Sequence, residues 1–308
     1  MNEPVIVVHG GAGDIPDSRD QPKFNGILAA IRKAHTVYKN TSSITDACQA
    51  AVECMEDDEA FNAGRGSVLN LKGEIEMEAL IMEGKDMKAG SVTGVKNIAH
   101  PIALARKVME NTPHVFLMGS SANEFASKMG FETVSDDYLM TIHAKTALNN
   151  FLKSGGQPVT TEIGQGVGTV GAIGMDTNGH MVSCTSTGGI TGKMAGRVGD
   201  TPVPGAGGYC DNNIGTISTT GHGDSIMRYC LAQKIMNRME NGEVPEIAAQ
   251  KGCDSMSARV GGSAGAIVIS KKGEVGIGFS SSKMAWAFLK DGIIHYGIKK
   301  GQYLTVAL

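Results

Sequence analysis

The chain lacks any cysteine pair with the spacing of a metal or redox motif. Cys48, Cys54, Cys184, Cys210, Cys230 and Cys253 form no CxxC and no zinc-ligand pattern. They are expected to be reduced thiols, mostly small buried hydrophobes, in a cytosolic protein. No basic run is longer than two residues, and 28 Lys and Arg nearly balance 31 Asp and Glu. That balance excludes the positive patch that a nucleic-acid partner requires. No apolar stretch approaches the length of a membrane span. The segment MNEPVIVVHGG has neither the basic region nor the long apolar run of a secretory signal. Together these features lead us to expect a cytoplasmic protein with no membrane partner.

Glycine, by contrast, is abundant. Forty-two of 308 residues is about 14%, roughly twice the usual share. There is no collagen period and no Gly/Ser linker. The glycines gather in knots: HGGAG at 9–13, GRGSV at 64–68, GAGGY at 205–209, TTGHG at 219–223 and VGGSAGA at 260–266. Such knots read as tight loops where backbone N–H groups approach a ligand.

Val5–Val8 reads as a short buried strand running into HGGAG. Phe24–Tyr38 has helical spacing, and Ser43–Met55 is a second helix with Ser43 three residues before Asp46, as in a capping box. Leu69–Met82 alternates around Lys72-Gly73 and reads as a hairpin. Helices are expected at 100–110, 121–129, 136–152, 223–241 and 243–258. Gly168–Met175 and His180–Thr187 form a strand pair around Asp176-Thr177-Asn178-Gly179. Ala264–Ser270 pairs with Glu274–Ser280, and a last hairpin lies near 286–306. Hairpins in both halves argue for an α+β fold, with antiparallel sheets covered by helices, in one domain. The polar segment 153–165 reads as a surface excursion that ends just before GVGTVGAIG at 166–174.

Thr169 stands among those glycines. Most strand threonines do nothing chemical, and a threonine hydroxyl is a poor nucleophile without a base. An N-terminal threonine carries its own base, because a free α-amine titrates at about 7.7–8.0. Cutting between Gly168 and Thr169 would create that base. Gly168 suits such a cut, since it tolerates the dihedrals needed for Thr169 to attack the preceding carbonyl. If Thr177-Asn178-Gly179 is a three-residue loop, Thr187 lies opposite Thr169 on the same face, with Cβ atoms about 5 Å apart. A two-residue loop would put the two on opposite faces. Arg197-Val198-Gly199-Asp200 offers a fork for a carboxylate and an anion for an ammonium. Thr219-Thr220-Gly221-His222-Gly223 precedes a helix and could hold an oxyanion. Taken singly, an Arg-x-x-Asp is usually a solvated pair, a histidine between glycines is a loop residue, and Asn62 in FNAGRGS is a turn former.

HGGAG, FNAGRGSVLN, GTVGA, TSTGGI, GRVGDTPVPGAGGY and STTGHGDSI stand together in one order. In this the chain resembles the plant-type, or isoaspartyl, L-asparaginases of the N-terminal-nucleophile hydrolases, and most of all their cytosolic animal members. Only 111–165 contributes nothing to the resemblance. The resemblance implies a four-layer αββα sandwich. It also implies autocleavage into an α chain of 1–168 and a β chain of 169–308, assembled as a dimer of such units. By motif match it makes Thr169 the nucleophile, Thr187 its hydroxyl partner and Asn62 an orienting group. Thr220 and Gly221 become the oxyanion hole. Arg197 and Asp200 bind the substrate's α-carboxylate and α-amine, with Val198, Gly199, His222 and Gly223 lining the same subsite. It further implies a structural Na⁺ on the backbone carbonyls of Met55, Glu56, Asp58, Phe61, Ala63 and Arg65, and no catalytic metal or cofactor. The implied substrates are asparagine and isoaspartyl dipeptides. Met77-Glu78-Ala79 stands where the family commonly has Met-Asp-Ala, and no role is carried onto Glu78.

Three alternatives stand beside this reading. Glycosylasparaginases are related but have Asp, where Gly168 stands here, before the nucleophile. Threonine aspartase is also related, but longer and active on proteins. An uncleaved relative acting only through interactions has the same sequence signature. A dinucleotide fold is excluded, because GxGxxG read from Gly11 demands glycine where Pro16 stands.

Overall fold

In the computed structural model, which describes residues 3–156 and 168–308, apolar periodicity sets most of the elements. The chain opens with β1 (Val5–Gly13), then α1 (Asp20–Thr41) and α2 (Ile44–Glu56). α2 begins where the capping residue predicts: the Ser43 hydroxyl accepts from the Asp46 N–H at 3.1 Å, a cap worth about 1 kcal/mol. There follow β2 (Met77–Glu83), β3 (Ala89–Val95), α3 (Pro101–Asn111), β4 (Phe116–Met118), α4 (Gly119–Lys128), α5 (Asp136–Leu139) and α6 (Ile142–Lys153). From residue 157 on, the expected polar excursion lies outside the described residues. Then come β5 (Val170–Met175), β6 (Met181–Thr187), β7 (Gly208–Asp211) and β8 (Gly215–Gly221). The helices α7 (Gly223–Tyr229), α8 (Leu231–Glu240) and α9 (Pro245–Val260) lead to β9 (Ala264–Ser270), β10 (Val275–Phe279), β11 (Lys283–Lys290), β12 (Ile293–Lys299) and β13 (Leu304–Ala307).

The strands form two sheets. The larger has the order β13-β12-β11-β1-β5-β6-β2-β3-β4, and the smaller β10-β9-β8-β7. Every pairing is antiparallel except β3 with β4. The α+β class read from the sequence is the class observed. Helices α1, α2 and α3 pack on one face of the large sheet, the small sheet covers the other, and α8 and α9 cover the small sheet's far side.

Strand alternation explains the three apolar layers between these surfaces. In β5, Val170 and Ala172 join the helix-side core with Val182 and Cys184 of β6. Ile173 and Met175 point the other way, into a core shared with Ile267 and Ile269 of β9. Ile217, Val268 and the apolar faces of α8 and α9 fill the third layer. All six cysteines are free, and Cys48, Cys184, Cys210 and Cys253 are buried.

Several boundaries differ from expectation. Leu69–Met82 is not a hairpin. The Asn70 carboxamide caps a turn by accepting from the N–H groups of Lys72 and Glu74 at 2.9 and 3.0 Å, and β2 pairs instead with β3. The helix expected over 136–152 is broken at Met140, which is extended, and restarts when the Thr141 hydroxyl caps α6. The helix expected over 223–241 breaks at Cys230, which adopts φ 52°. HGGAG is not a loop: it continues β1, with a bulge between His9 and Ala12 against β11.

Candidate active site

The β5–β6 turn fixes the register of the candidate site. Met175 pairs with Met181 and Val170 with Ser186, so Thr177-Asn178-Gly179 is the three-residue loop. The same count carried one residue outward sets Thr169 opposite Thr187. Glu78 of β2 pairs with Thr187 from the other side. By alternation all three side chains belong to the face that looks at the small sheet, where Ile173, Met175 and Met181 also lie.

β8 meets that face. Its Thr216 hydroxyl donates to the Val182 carbonyl at 3.0 Å. Ser218 Oγ lies 2.7 Å from His9 Nε2, and Thr220 Oγ1 accepts from the Ala12 N–H at 3.2 Å. Burial pushes the His9 imidazole down to about 3, so it is neutral at physiological pH. The His9–Ser218 contact passes directly over Gly171, where any Cβ would overlap both side chains. Gly171 therefore has a packing reason: it lets the two sheets approach at the mouth of the site.

Gly168 and Thr169 lie at this mouth. Thr169 is buried, with a relative exposure of 5%. Its hydroxyl is 3.0 Å from that of Thr201, either oxygen able to donate. Thr187 Oγ1 accepts instead from the Gly189 N–H at 3.1 Å. Gly168 has φ 79°, in the region that side chains rarely adopt. A Cβ there would overlap Gly11 Cα and lie 2.7 Å from Ala12 N. The β1 bulge is thus the bed on which the Gly168–Thr169 link rests.

Asn62 bonds to the turn after Thr187. Its amide nitrogen donates to the Gly189 carbonyl at 2.7 Å, its side-chain oxygen accepts from the Val68 N–H at 3.0 Å, and its carbonyl accepts from the Gly188 N–H at 3.0 Å.

Arg197 and Asp200 converge on the first turn of α7. A Cβ placed on Gly223 would be 2.7 Å from Asp200 Oδ1 and 2.9 Å from Arg197 Nη2. Arg197 donates to Asp224 Oδ2 at 2.7 Å. Its Nε is buried with no hydrogen-bond partner among the described residues. Asp200 is buried and accepts from the Thr219 hydroxyl at 3.2 Å. Burial, then the nearby Glu78 carboxylate, raises Asp200 to about 7. Val198 is half-buried, while His222 is exposed and turns its Nδ1 to Ser225 Oγ at 2.8 Å.

Sequence reading missed Thr201 and Asp224. Both stand inside quoted motifs, GRVGDTPVPGAGGY and STTGHGDSI, but neither spacing nor residue type separates them from their neighbours. Thr201 joins the two halves of the site: it bonds the Thr169 hydroxyl and follows Asp200 directly in the chain.

The chain matches a family model described as asparaginase over residues 2–298. An isoaspartyl peptidase/L-asparaginase of Xenopus laevis is 46% identical over 300 residues, covering 97% of this chain and 96% of that protein. One of Danio rerio is 43% identical over 302 residues, with 98% and 97% covered. One of Homo sapiens is 45% identical over 296 residues, covering 96% of each.

Proposed function

Because the chain belongs to the asparaginase family, we propose that it opens its own backbone before Thr169 and uses the amine so freed to hydrolyse L-asparagine and β-aspartyl dipeptides. It is a hydrolase of the isoaspartyl peptidase/L-asparaginase kind, as its relatives over nearly the whole chain are named. The observation that carries the reading is the bond between the hydroxyls of Thr169 and Thr201. It sets the proposed nucleophile against the residue that directly follows Asp200 in the chain.

The chemistry follows from these parts. The Thr169 amine accepts the proton of its own hydroxyl, and the oxygen attacks the side-chain carbonyl of the substrate. Thr220 and Gly221 stabilise the tetrahedral oxyanion, an effect of about 3–4 kcal/mol per donor in comparable sites. The proton passes to the leaving nitrogen, so ammonia or an amino acid departs and an aspartyl ester stays on Thr169. The amine then takes a proton from water, whose oxygen attacks the ester and releases aspartate. Arg197 holds the substrate's α-carboxylate and Asp200 its α-ammonium, with Val198, Gly199, His222 and Gly223 around them. Asn62 and Thr187 act on the turn that faces the nucleophile. Both substrate classes present the same aspartyl head, so one site serves both.

The helix–sheet–sheet–helix order supports the αββα sandwich of N-terminal-nucleophile hydrolases, as one domain cut into 1–168 and 169–308. We place the protein in the cytoplasm as a dimer of such units. Six free thiols support that compartment, and no helix among the described residues is long and apolar enough to cross a membrane.

A structural Na⁺ fits the loop over residues 55–65. The loop folds tightly over its own carbonyls: a Cβ on Gly64 would overlap the Glu56 oxygen and lie 2.9 Å from that of Ala99. Glu56 and Asp58 carbonyls accept from the Arg65 and Phe61 N–H groups at 2.7 and 3.0 Å, which leaves each a second lone pair. Met55, Glu56, Asp58, Phe61, Ala63 and Arg65 would hold the ion by these carbonyls, stiffening the segment that carries Asn62. Sodium chloride is expected to raise the melting temperature by ~2–4 °C over choline chloride of equal ionic strength. Equal melts in the two salts would remove the ion from this account.

Intact-mass spectrometry of the purified protein tests the central claim. Two fragments meeting at Thr169, with aspartate released from asparagine and from a β-aspartyl dipeptide, are expected. One stable full-length species that turns over neither substrate would favour the interaction-only alternative. Preference for an N-acetylglucosaminyl-asparagine would favour the glycosylasparaginase one.

A further inference from the structure

Two carboxylates at the start of β2, an interior strand of the large sheet, staple the turn that carries Arg197. Glu76, just before β2, accepts from the Gly196 N–H with its two oxygens at 3.1 and 3.2 Å. Glu78, in β2, accepts from the Gly199 N–H at 3.0 and 3.1 Å. The turn Gly196-Arg197-Val198-Gly199 is therefore held at both ends. Glu78 is buried, with a relative exposure of 1%. It is also the β-ladder partner of Thr187, so its carboxylate lies in the same row of side chains as the nucleophile.

We propose that Glu78 is the positioning residue that fixes the distance between the aspartyl-head clamp and Thr169. The proposal rests on the reading of Arg197 and Asp200 as that clamp. A rigid strand on one side and a single side-chain length on the other set where the Arg197–Asp200 turn lies. A carboxylate one methylene shorter, at the same Cα, cannot reach the Gly199 N–H unless the turn moves toward β2 and away from the substrate. Glu78 also contributes charge. The groups facing it and Asp200 are Arg197, Lys193 and Asp224, the Thr219 hydroxyl, and the two carboxylates themselves. With both acids buried, the Glu78 charge opposes ionisation of Asp200, the group that receives the substrate ammonium.

Length and charge can be separated by two substitutions. Glu78→Asp keeps the charge and loses the reach. Glu78→Gln keeps the reach, with one oxygen still able to accept from Gly199, and loses the charge. Both variants are expected to cut themselves as completely as the parent, because cleavage within the chain has no free aspartyl head to hold. In Glu78→Asp, KM for a β-aspartyl dipeptide and the Kd for L-aspartate should each rise about tenfold, with kcat changed by less than about threefold. In Glu78→Gln, the acid limb of the pH profile for L-aspartate binding should shift to lower pH, because Asp200 ionises more readily without an anionic neighbour. A residue with only a structural role would lower the melting temperature without moving that limb.

Parent-like KM and Kd in Glu78→Asp, or an unmoved limb in Glu78→Gln, would overturn the proposal. Loss of self-cleavage in both variants would do so as well, since the effect would then lie in folding. If the parent protein itself binds no L-aspartate by calorimetry, the clamp reading fails and takes the proposal with it. If it binds L-aspartate and Glu78→Asp binds it equally, only Glu78 is exonerated.

Discussion

Replacing Thr169 with alanine is expected to leave one uncut chain with no measurable turnover of asparagine or a β-aspartyl dipeptide. The same hydroxyl is asked to do both jobs. In the proposed mechanism it attacks the Gly168 carbonyl once, and the substrate carbonyl in every cycle. Removing it withdraws the nucleophile and, by preventing the cut, the base as well. The expected loss is at least about 10³-fold in kcat, the range seen when a covalent nucleophile is removed. The fold should survive. Thr169 is buried and its hydroxyl bonds only to Thr201 among the described contacts, so the change costs about 1 kcal/mol, a fraction of ordinary domain stability. Circular dichroism and a thermal melt close to the parent's would show that the defect is chemical. Thr169→Ser, which keeps a hydroxyl, should still cut, more slowly. Turnover at the parent rate in uncut Thr169→Ala would refute the mechanism.

The second large effect is expected at Gly168, which takes no part in the hydrolytic cycle once the backbone is open. Gly168→Ala should slow self-cleavage by at least about 100-fold, followed as the disappearance of the full-length band on a denaturing gel. The methyl group would have to occupy space taken by Gly11 Cα and come within 2.7 Å of Ala12 N. It would also have to adopt φ 79°, which costs a residue with a side chain about 1–2 kcal/mol. The chain can relieve both only by lifting the scissile link off the β1 bulge, which moves the Gly168 carbonyl away from the Thr169 hydroxyl. Activity should fall in step with the uncut fraction, because whatever fraction does cut has an unaltered nucleophile. Rapid cutting in Gly168→Ala would show that the bed formed by the bulge is not what aligns the bond.

The parts of this molecule that follow local rules were legible in the sequence. The Ser43 cap, the Asp176–Gly179 turn and the apolar runs of β5, β6 and β9 gave elements close to those observed, while the turn left two registers open, and the fold takes the one that faces Thr187 to Thr169. The missed parts obey tertiary rules. β8, GTISTTG, reads as polar, and its Thr219–Gly221 end reads as part of a glycine-rich loop. Its Thr216, Ser218 and Thr220 are buried because each finds a partner on the other sheet. β3, AGSVTGV, has too few large apolar residues to announce itself, and packs because Gly90 lets it lie against α3. HGGAG looked like a ligand loop, yet it is a strand whose bulge is set by its partner β11. The candidate site showed the same division. The motifs carried Thr169, Arg197 and Asp200, while the joint between them, Thr201, emerged only once the chain was folded.

Strand order bears on what the proposed cut would leave behind. In the large sheet β1 lies between β11 and β5, and β5 and β6 lie between β1 and β2. Polypeptide from before and after residue 169 is therefore interdigitated, like the laced fingers of two hands. Neither product can depart without stripping hydrogen-bonded ladders along both of its flanks, so severing the backbone would not loosen the molecule. It would, however, erase the route by which the molecule was made. An intact precursor finds its shape as one chain, whereas a mature copy that melts must reassemble from two separate pieces, at a rate set by their concentration. Maturation is in this sense a ratchet.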